Sequence, residues 1–218
     1  LQLCLGIAFC FYLTSPVIAA QNSNQNPNPN EFPPNPLEIT TPDPLLPRKP
    51  TKKQPLTEEE RATLSAALDQ LNTEAVAKLQ AGDRVGAFET WYRELRLRRL
   101  LGALPEVQAL GRVGAIAWQD NRRLDVQIIT KRLQGIQQEA QAKPPVELEL
   151  LRSLGTAYQQ VRAPQLAVGV YEQILAVARQ QQDAAAEEAT LVTLGELSFS
   201  YFDYIKAAAT YRELLRLA

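Results

Sequence analysis

The sequence predicts an all-α protein, an α-solenoid built from stacked helical hairpins, and three observations support that prediction. Residues that favour helix, mainly Ala, Leu, Gln, Glu and Arg, dominate the second half of the chain. Apolar residues recur there at intervals of three and four, which is the period of a helix with one buried face. A pattern of residue types also returns after about 40 positions, and a fixed internal period is typical of proteins whose repeats stack on their neighbours.

The first element is an almost wholly apolar stretch, residues 1–20, that ends in small residues. It is typical of a secretory signal peptide, with cleavage after Ala19 or Ala20. An uncleaved membrane anchor is the alternative, because the stretch is barely long enough to span a bilayer. The two cysteines, Cys4 and Cys10, both lie in this stretch, so the cleaved chain would contain none. We therefore expect an exported protein, located in a periplasm, a thylakoid lumen or the extracellular space.

Residues 21–57 are rich in Asn and Pro and contain few apolar residues. Proline removes backbone hydrogen-bond donors and disfavours helix at the residue before it. A segment with so little apolar material cannot offset the entropy that ordering costs. The composition therefore predicts a disordered tether, which we interpret as a spacer, with a proline-motif ligand for another protein as the alternative.

The folded domain is predicted to occupy residues 58–218, and its first helix has a clear start. The Thr57 hydroxyl is placed to accept a hydrogen bond from a first-turn amide, while the Glu60 carboxylate reaches back to the Thr57 amide. This capping box predicts a helix that begins at Glu58, with acidic residues at the positive end of its dipole.

About four repeat units follow, each marked by a small residue and by two positions that lie 12 and 16 residues after it. The small residues and their partners are Ala75 with Ala87 and Trp91, Gly114 with Val126 and Thr130, Gly155 with Ala167 and Tyr171, and Gly195 with Ala207 and Tyr211. Unit two matches least well, because Val126 and Thr130 replace a small and an aromatic residue.

Each unit is predicted to be a hairpin of two helices. Mid-helix glycine costs about 1 kcal/mol relative to alanine, so its recurrence at Gly155 and Gly195 predicts close helix crossings in which Tyr171 and Tyr211 fill the remaining space. Pro164 fits the first turn of a helix, where its missing amide hydrogen has no partner to lose. The predicted breaks between paired helices lie at residues 81–83, 119–121, 162–164 and 202–203.

One stretch of unit three resembles the signature of the tetratricopeptide repeat family. The motif reads Leu151-x-x-Leu154-Gly155-x-x-Tyr158 and then Ala167-x-x-x-Tyr171, with Leu151 in place of the family's opening Trp. Unit four departs from the signature at Ser198, and the period of about 40 residues is similar to that of a longer-helix variant of the family. The N-terminal layout is similar to that of exported cyanobacterial proteins.

The resemblance implies a tetratricopeptide-type solenoid that binds a protein or peptide partner in a concave groove lined by the first helix of each unit. It also places Gly111 and Ala115 in that groove. Trp118 and Phe199 are the implied anchors, because aromatic side chains contribute much of the energy at binding hot spots; the alternative is that both are ordinary core residues. The implied partner-binding residues are Trp118, Gln119, Arg152, Gln159, Glu196 and Phe199.

Residues that carry common chemistry are scarce. The chain has no His, so the usual general base near neutral pH is missing, and its cysteines fall in the predicted signal peptide. Neither a phosphate-binding glycine-rich loop nor a metal-loop spacing is present in the sequence. We therefore expect no enzymatic activity, no cofactor and no metal.

The charge distribution bears on the class of partner. The net charge is −1, which argues against a nucleic-acid binder. Segment 93–132 nevertheless carries nine Lys or Arg residues against four Asp or Glu residues. We interpret it as a solvated helix surface, with a site for an acidic partner as the alternative.

The function predicted from these observations is a non-catalytic scaffold that holds a protein or peptide partner, with membrane contact only through an uncleaved N-terminal anchor. The alternative is a structural or spacer module of a larger exported or envelope protein whose other domain lies beyond residue 218. That alternative is motivated by the absence of a polar closing surface on the last repeat, which terminal repeats normally need.

Overall fold

A computed structural model of the chain describes residues 35–38, 41–46, 48, 50–51 and 53–217. All of them belong to one compact unit, Pro34–Ala218. The predicted signal peptide, residues 1–20, and residues 21–34 of the predicted tether lie outside the described residues.

The described part of the chain is helical and contains no β-strand, which confirms the predicted all-α class. Among the described residues, no helix combines the length and the apolar character needed to cross a membrane. The eight α-helices of this part are α1 (Glu58–Gln80), α2 (Arg84–Arg98), α3 (Ala103–Gln119), α4 (Arg123–Gln141), α5 (Leu148–Gln160), α6 (Pro164–Gln181), α7 (Ala184–Ser200) and α8 (Tyr204–Leu214).

Two predicted helix starts that had a local physical reason are confirmed. Helix α1 begins at Glu58 behind a complete capping box: the Glu60 amide donates to the Thr57 hydroxyl at 3.2 Å, and the Thr57 amide donates to the Glu60 carboxylate at 2.8 Å. Helix α6 begins at Pro164, as expected for a proline whose missing amide hydrogen has no helical partner at that position.

The helices form four hairpins, α1–α2, α3–α4, α5–α6 and α7–α8, whose two members pack against each other. All four predicted breaks are turns with one residue in the left-handed region, at φ between 57° and 87°. In each turn the next residue donates its amide hydrogen to the carbonyl five positions earlier, as Asp83 does to Lys78. This pattern caps the open carbonyls at a helix end. The left-handed residues are Gly82, Asn121, Arg162 and Phe202, which stand 39, 41 and 40 residues apart.

The positions that define the repeat are core positions. The four small residues Ala75, Gly114, Gly155 and Gly195 are all buried. The residue 12 positions later is also buried in units one, three and four, whereas Val126 of unit two is only half-buried. The weaker match of unit two therefore has a structural counterpart, although its hairpin turn is the same as the others.

The predicted close crossings at the mid-helix glycines are confirmed. A Cβ atom added to Gly155 would lie 2.9 Å from two ring carbons of Tyr171, and one added to Gly195 would lie 2.6 Å from a ring carbon of Tyr211. Each tyrosine ring thus occupies the space that a side chain at the paired glycine would need. The interlock joins the two helices of one hairpin, α5–α6 or α7–α8.

We predict that Gly155→Ala destabilises the fold by about 1 kcal/mol, because the overlap with Tyr171 outweighs the gain in helix propensity. Gly169 in α6 is the matched control, since nothing lies within 4 Å of a Cβ at that position. Gly169→Ala should instead stabilise by about 0.5–1 kcal/mol. In a Tyr171→Ala background Gly155→Ala should also become stabilising. Urea unfolding measures all three, and equal stabilisation by both alanines in the wild-type background would refute the interlock.

The contacts between hairpins differ from one junction to the next. Helix α3 packs directly on α5, and a Cβ added to Gly111 would lie 3.0 Å from the Cβ of Ala157, so the two helix backbones approach closely. Helix α7 instead packs on α6 and α8, after a tight turn at Gln182. The α2–α3 junction passes through a short 3-10 turn, Arg99–Leu101, and Gly102.

Part of the segment predicted as a tether makes contacts with the helices. Leu37 is 2% exposed and belongs to the main core, while Leu56 is buried against a cluster that includes Leu64 and Leu68 of α1. The low average apolar content of residues 21–57 predicted no such packing. A few leucines at suitable positions supply it. The predicted domain boundary at residue 57 stays a prediction.

Candidate functional site

The six residues implied as partner-binding all lie on the first helices of hairpins two, three and four, and two of them are exposed aromatics. Trp118 lies in the last turn of α3 and is 50% exposed, and Phe199 lies in the last turn of α7 and is 59% exposed. An aromatic side chain that leaves half its surface in water contributes little to a core. The alternative that these two residues are ordinary core residues therefore does not fit the structure.

The four polar residues of the set differ in how free they are to meet a partner. Gln119, Arg152 and Glu196 are exposed, and neither charged residue forms an ion pair within the described ranges. Gln159 is half-buried, and its amide nitrogen donates to the Tyr171 hydroxyl at 2.8 Å. That hydrogen bond directs the Gln159 side chain towards α6 and uses one of its two donor hydrogens.

The structure brings only part of this set onto adjacent helices. Trp118 and Gln119 on α3 lie on a helix that packs directly against α5, which carries Arg152 and Gln159. Glu196 and Phe199 are on α7, which packs on α6 and α8. The expectation that Gly111 faces a groove is wrong: this residue is buried against Ala157 of α5.

A cavity of about 560 Å³ lies beside Trp118 at the α3–α4 turn. Arg122 at its wall is fixed, because its guanidinium pairs with Asp125 and lies 4.0 Å from the centre of the Phe88 ring. Arg123 is exposed, so the cavity combines an aromatic face with a cation available to an acceptor. Its lining residues are Trp118, Asn121, Arg122, Arg123, Val126 and Gln127.

Sequence reasoning missed a second exposed group, which we call the aromatic patch and define as Phe199, Phe202, Tyr204 and Ile205. The ring of Tyr204 meets those of Phe199 and Phe202 edge-on, at centroid distances of 5.5 and 6.2 Å. Phe202 and Ile205 are 77% and 88% exposed. Contiguous exposed apolar side chains of this kind mark interaction sites.

Phe202 also carries a backbone cost that the fold does not need. It occupies the left-handed position of its turn at φ 65°, where hairpin one has Gly82, hairpin two has Asn121 and hairpin three has Arg162. A bulky aromatic residue is disfavoured there, and its exposed ring returns little stability. Part of this signal was present in the sequence, because aligning the four breaks places Phe202 at a position that Gly or Asn occupies in two of the other three hairpins.

Most cations in the basic segment 93–132 are paired within the fold rather than solvated, and the exposed Arg123 is an exception. Six of its nine cations form ion pairs, and much of the set surrounds two buried carboxylates. Glu94 accepts from Arg98 and Arg112, and Glu106 accepts from Arg99 and Arg132. We call these six residues the arginine–glutamate cluster; it joins α2, α3 and α4.

The shifted pKa values of nearby groups report structural contacts. The hydrogen bond to Glu106 raises the pKa of Arg132, and burial raises the pKa of Tyr92, whose hydroxyl donates to the Asp125 carboxylate across α2 and α4. Burial also raises the pKa of Tyr158 to about 12. Each of these groups keeps its usual charge at neutral pH, so none is tuned for proton transfer near pH 7.

The described residues contain no group of three or more His, Cys, Asp or Glu side chains arranged to hold a metal ion. No family model matches the chain. A comparison with curated proteins gave no significant match.

Proposed function

We propose that the chain is a tetratricopeptide-type α-solenoid that acts as a non-catalytic scaffold and binds a protein or peptide partner. One observation carries the proposal: two exposed aromatics, Trp118 and Phe199, occupy equivalent positions on first helices of a chain whose hairpin turns recur every 39 to 41 residues. Exposed aromatics at equivalent positions of a repeat are unexplained by folding, and aromatics are the residues that anchor interfaces.

The site beside Trp118 favours a particular kind of contact. An apolar side chain of the partner would enter the cavity against the indole face, and an acceptor group next to it would meet Arg123. The aromatic patch around Phe199 would add a second apolar contact. Two such anchors on one chain suit an extended peptide or a helix of a partner protein, since separated apolar contacts act together when they are linked.

We also propose that the protein acts outside the cytoplasm, in a periplasm, a thylakoid lumen or the extracellular space. The apolar stretch at residues 1–20, which ends in small residues, supports this. Intact-mass measurement of the protein from an extracytoplasmic fraction tests it. A chain that begins at residue 20 or 21 is expected, and recovery from the cytoplasm with residues 1–20 attached would contradict it.

Crosslinking tests the binding surface. We predict that a photoreactive amino acid at Trp118 or Phe199 captures a defined partner protein from a fraction of the source cell. Lys131 and Ala176, which are exposed on the second helices α4 and α6, are the matched control positions and should capture none. Crosslinks from positions 131 or 176 alone would contradict the assignment of the first helices.

Alanine substitution at Trp118 and at Phe199 measures how much each side chain contributes to the free energy of binding. Trp118→Ala and Phe199→Ala should each weaken binding of the captured partner by roughly tenfold or more, as loss of an aromatic anchor does. Because both side chains are at least half exposed, neither change should lower the free energy of unfolding by more than about 1 kcal/mol. Unchanged affinity in both variants would remove the two residues from the site.

A further inference from the structure

The described residues 35–38 and 41–46 contact α2, and an apolar side chain anchors the first of these stretches. Leu37 is 2% exposed and belongs to the same core as Trp91. Beside it, the Arg96 guanidinium donates to the carbonyl oxygen of Pro36 at 2.8 Å. The burial of Arg96 that results lowers its pKa. This end of the segment is therefore bound through one leucine and one backbone carbonyl.

A paired ionic contact holds the other end. The Asp43 carboxylate receives two hydrogen bonds from Arg93, at 2.7 and 2.8 Å, in the parallel arrangement that gives guanidinium–carboxylate pairs their strength and direction. Its side chain is only 14% exposed. The charged groups facing it are Arg93 and Arg96 of α2, and Glu74 of α1 lies near enough to Arg93 to influence that guanidinium.

The described residues of this segment have no helix or strand, and their own side chains satisfy part of their backbone. The Leu37 amide donates to the Asn35 side chain, and the Leu45 amide donates to the Asp43 carboxylate. The Leu37 side chain, the Pro36 carbonyl and the Asp43 carboxylate thus attach the segment, and Leu45 and Leu46 add packing against the cluster that contains Leu97 of α2. A separate peptide could supply the same groups.

We propose that residues 35–46 are an intramolecular ligand, a strap that reversibly occupies a peptide-binding surface on α2. The partner that this surface accepts is a non-helical segment of the same chemistry, with a leucine six residues before an acidic residue, as Leu37 and Asp43 are in the strap. The surface is separate from the first-helix positions around Trp118, so this inference goes beyond the scaffold function and does not depend on it.

Competition in trans tests the proposal. The probe is a fluorescent peptide of residues 35–46, and its binding is measured by anisotropy against the full chain and against full-length Leu37→Ala/Asp43→Asn. The strap of the wild-type chain competes at high effective concentration. The peptide should therefore bind the variant at least about tenfold more tightly. Equal affinity for the two chains, or no binding to a variant that keeps its helical circular dichroism, would overturn the proposal.

A charge exchange makes the test specific and supplies a second variant. Arg93→Glu, added to the weakened chain, should abolish binding of the peptide, and a peptide carrying Asp43→Arg should restore it. Binding that survives Arg93→Glu would overturn the assigned surface. If Leu37→Ala/Asp43→Asn loses its helical circular dichroism, full-length Asp43→Asn replaces it as the receptor. The peptide should again bind the variant more tightly than the wild-type chain, and equal affinity for the two would overturn the proposal.

Acid should open the strap. The hydrogen bonds from Arg93 lower the pKa of the Asp43 carboxyl below the ordinary value of about 3.9. The stabilisation is complete above that ordinary value and is lost as the pH falls through the lowered one. The amide resonance of Leu45 should therefore shift only as the pH falls below about 4, and this step should be absent in Asp43→Asn. The same step in both chains would contradict closure through Asp43.

Discussion

Glu94→Gln should destabilise the fold by about 3 kcal/mol or more, the largest effect that we expect from a single polar substitution. The Glu94 side chain has no exposed surface, and one of its oxygens accepts from both Arg98 and Arg112. Its other oxygen, Oε2, has no hydrogen-bond partner among the described residues. Glutamine would remove the negative charge that compensates the guanidinium groups of Arg98 and Arg112. Its side-chain amide nitrogen would also be buried without a hydrogen-bond acceptor.

Asp69→Asn is the matched control for Glu94→Gln, because Asp69 also pairs with Arg98 but its side chain is 69% exposed. Solvent screens such a pair, so this variant should change the free energy of unfolding by less than about 1 kcal/mol. Urea unfolding at neutral pH measures both variants. Similar losses from the two would show that burial does not set the strength of the arginine–glutamate cluster.

Trp91→Ala should cost about 3–5 kcal/mol, as removal of a fully buried aromatic ring does. Trp91 has no exposed surface, packs edge-on against Phe88 at a centroid distance of 5.1 Å, and donates its indole hydrogen to Asn72 at 3.0 Å. The substitution would leave a cavity between α1 and α2 and an amide acceptor without its donor. Trp91→Phe should cost less, because it keeps most of the ring volume and loses only the hydrogen bond.

The chain's other tryptophan provides an internal comparison. Trp118 is half exposed, so Trp118→Phe should leave stability nearly unchanged, and the emission that remains should come from the buried Trp91 and lie at shorter wavelength. In Trp91→Phe the remaining emission should be that of a solvent-exposed indole. Iodide quenching separates the two cases. Equal quenching of both single-tryptophan chains would contradict the different burial of the two residues.

The features that local physics determines were predictable from the sequence. The Thr57 capping box, the turn at Gly82 and the Pro164 start depend on residues within one helical turn, and each was placed correctly. The contact of Gly155 with Tyr171 was predictable because one hairpin brings together positions 16 residues apart. Repetition of these short-range features in four units then indicated where the hairpins lie.

Contacts between distant residues were not predictable. From the sequence alone, the basic segment 93–132 has the composition of a charged surface, because the carboxylates that pair with its cations cannot be identified. One of these carboxylates, Asp43, lies 50 residues before Arg93. Whether α7 packs on α5 or α6 depends on how whole helix faces fit together, which no short pattern encodes. The same holds for Leu37, since average composition hides one well-placed leucine.

The candidate site was predictable in part. The repeat phase placed Trp118 and Phe199 on first helices, and the structure shows both exposed. The repeat phase did not reveal the cavity beside Trp118, because that cavity depends on Asn121 and Val126 on the other side of the α3–α4 turn. The family resemblance assigned Gly111 to the groove, because a position counted along one helix carries no information on how closely α3 approaches α5.

The paired glycine and tyrosine of α5–α6 also couple two positions of the sequence in evolution. Gly155→Ala meets the ring of Tyr171 while the tyrosine is present, whereas the same alanine fills free space once position 171 carries a smaller residue. The effect of either substitution on stability therefore depends on whether the other has already occurred. The α7–α8 hairpin, with Gly195 and Tyr211, has the same dependence, so in descendants of this sequence the glycine and the tyrosine of each pair should be kept or replaced together.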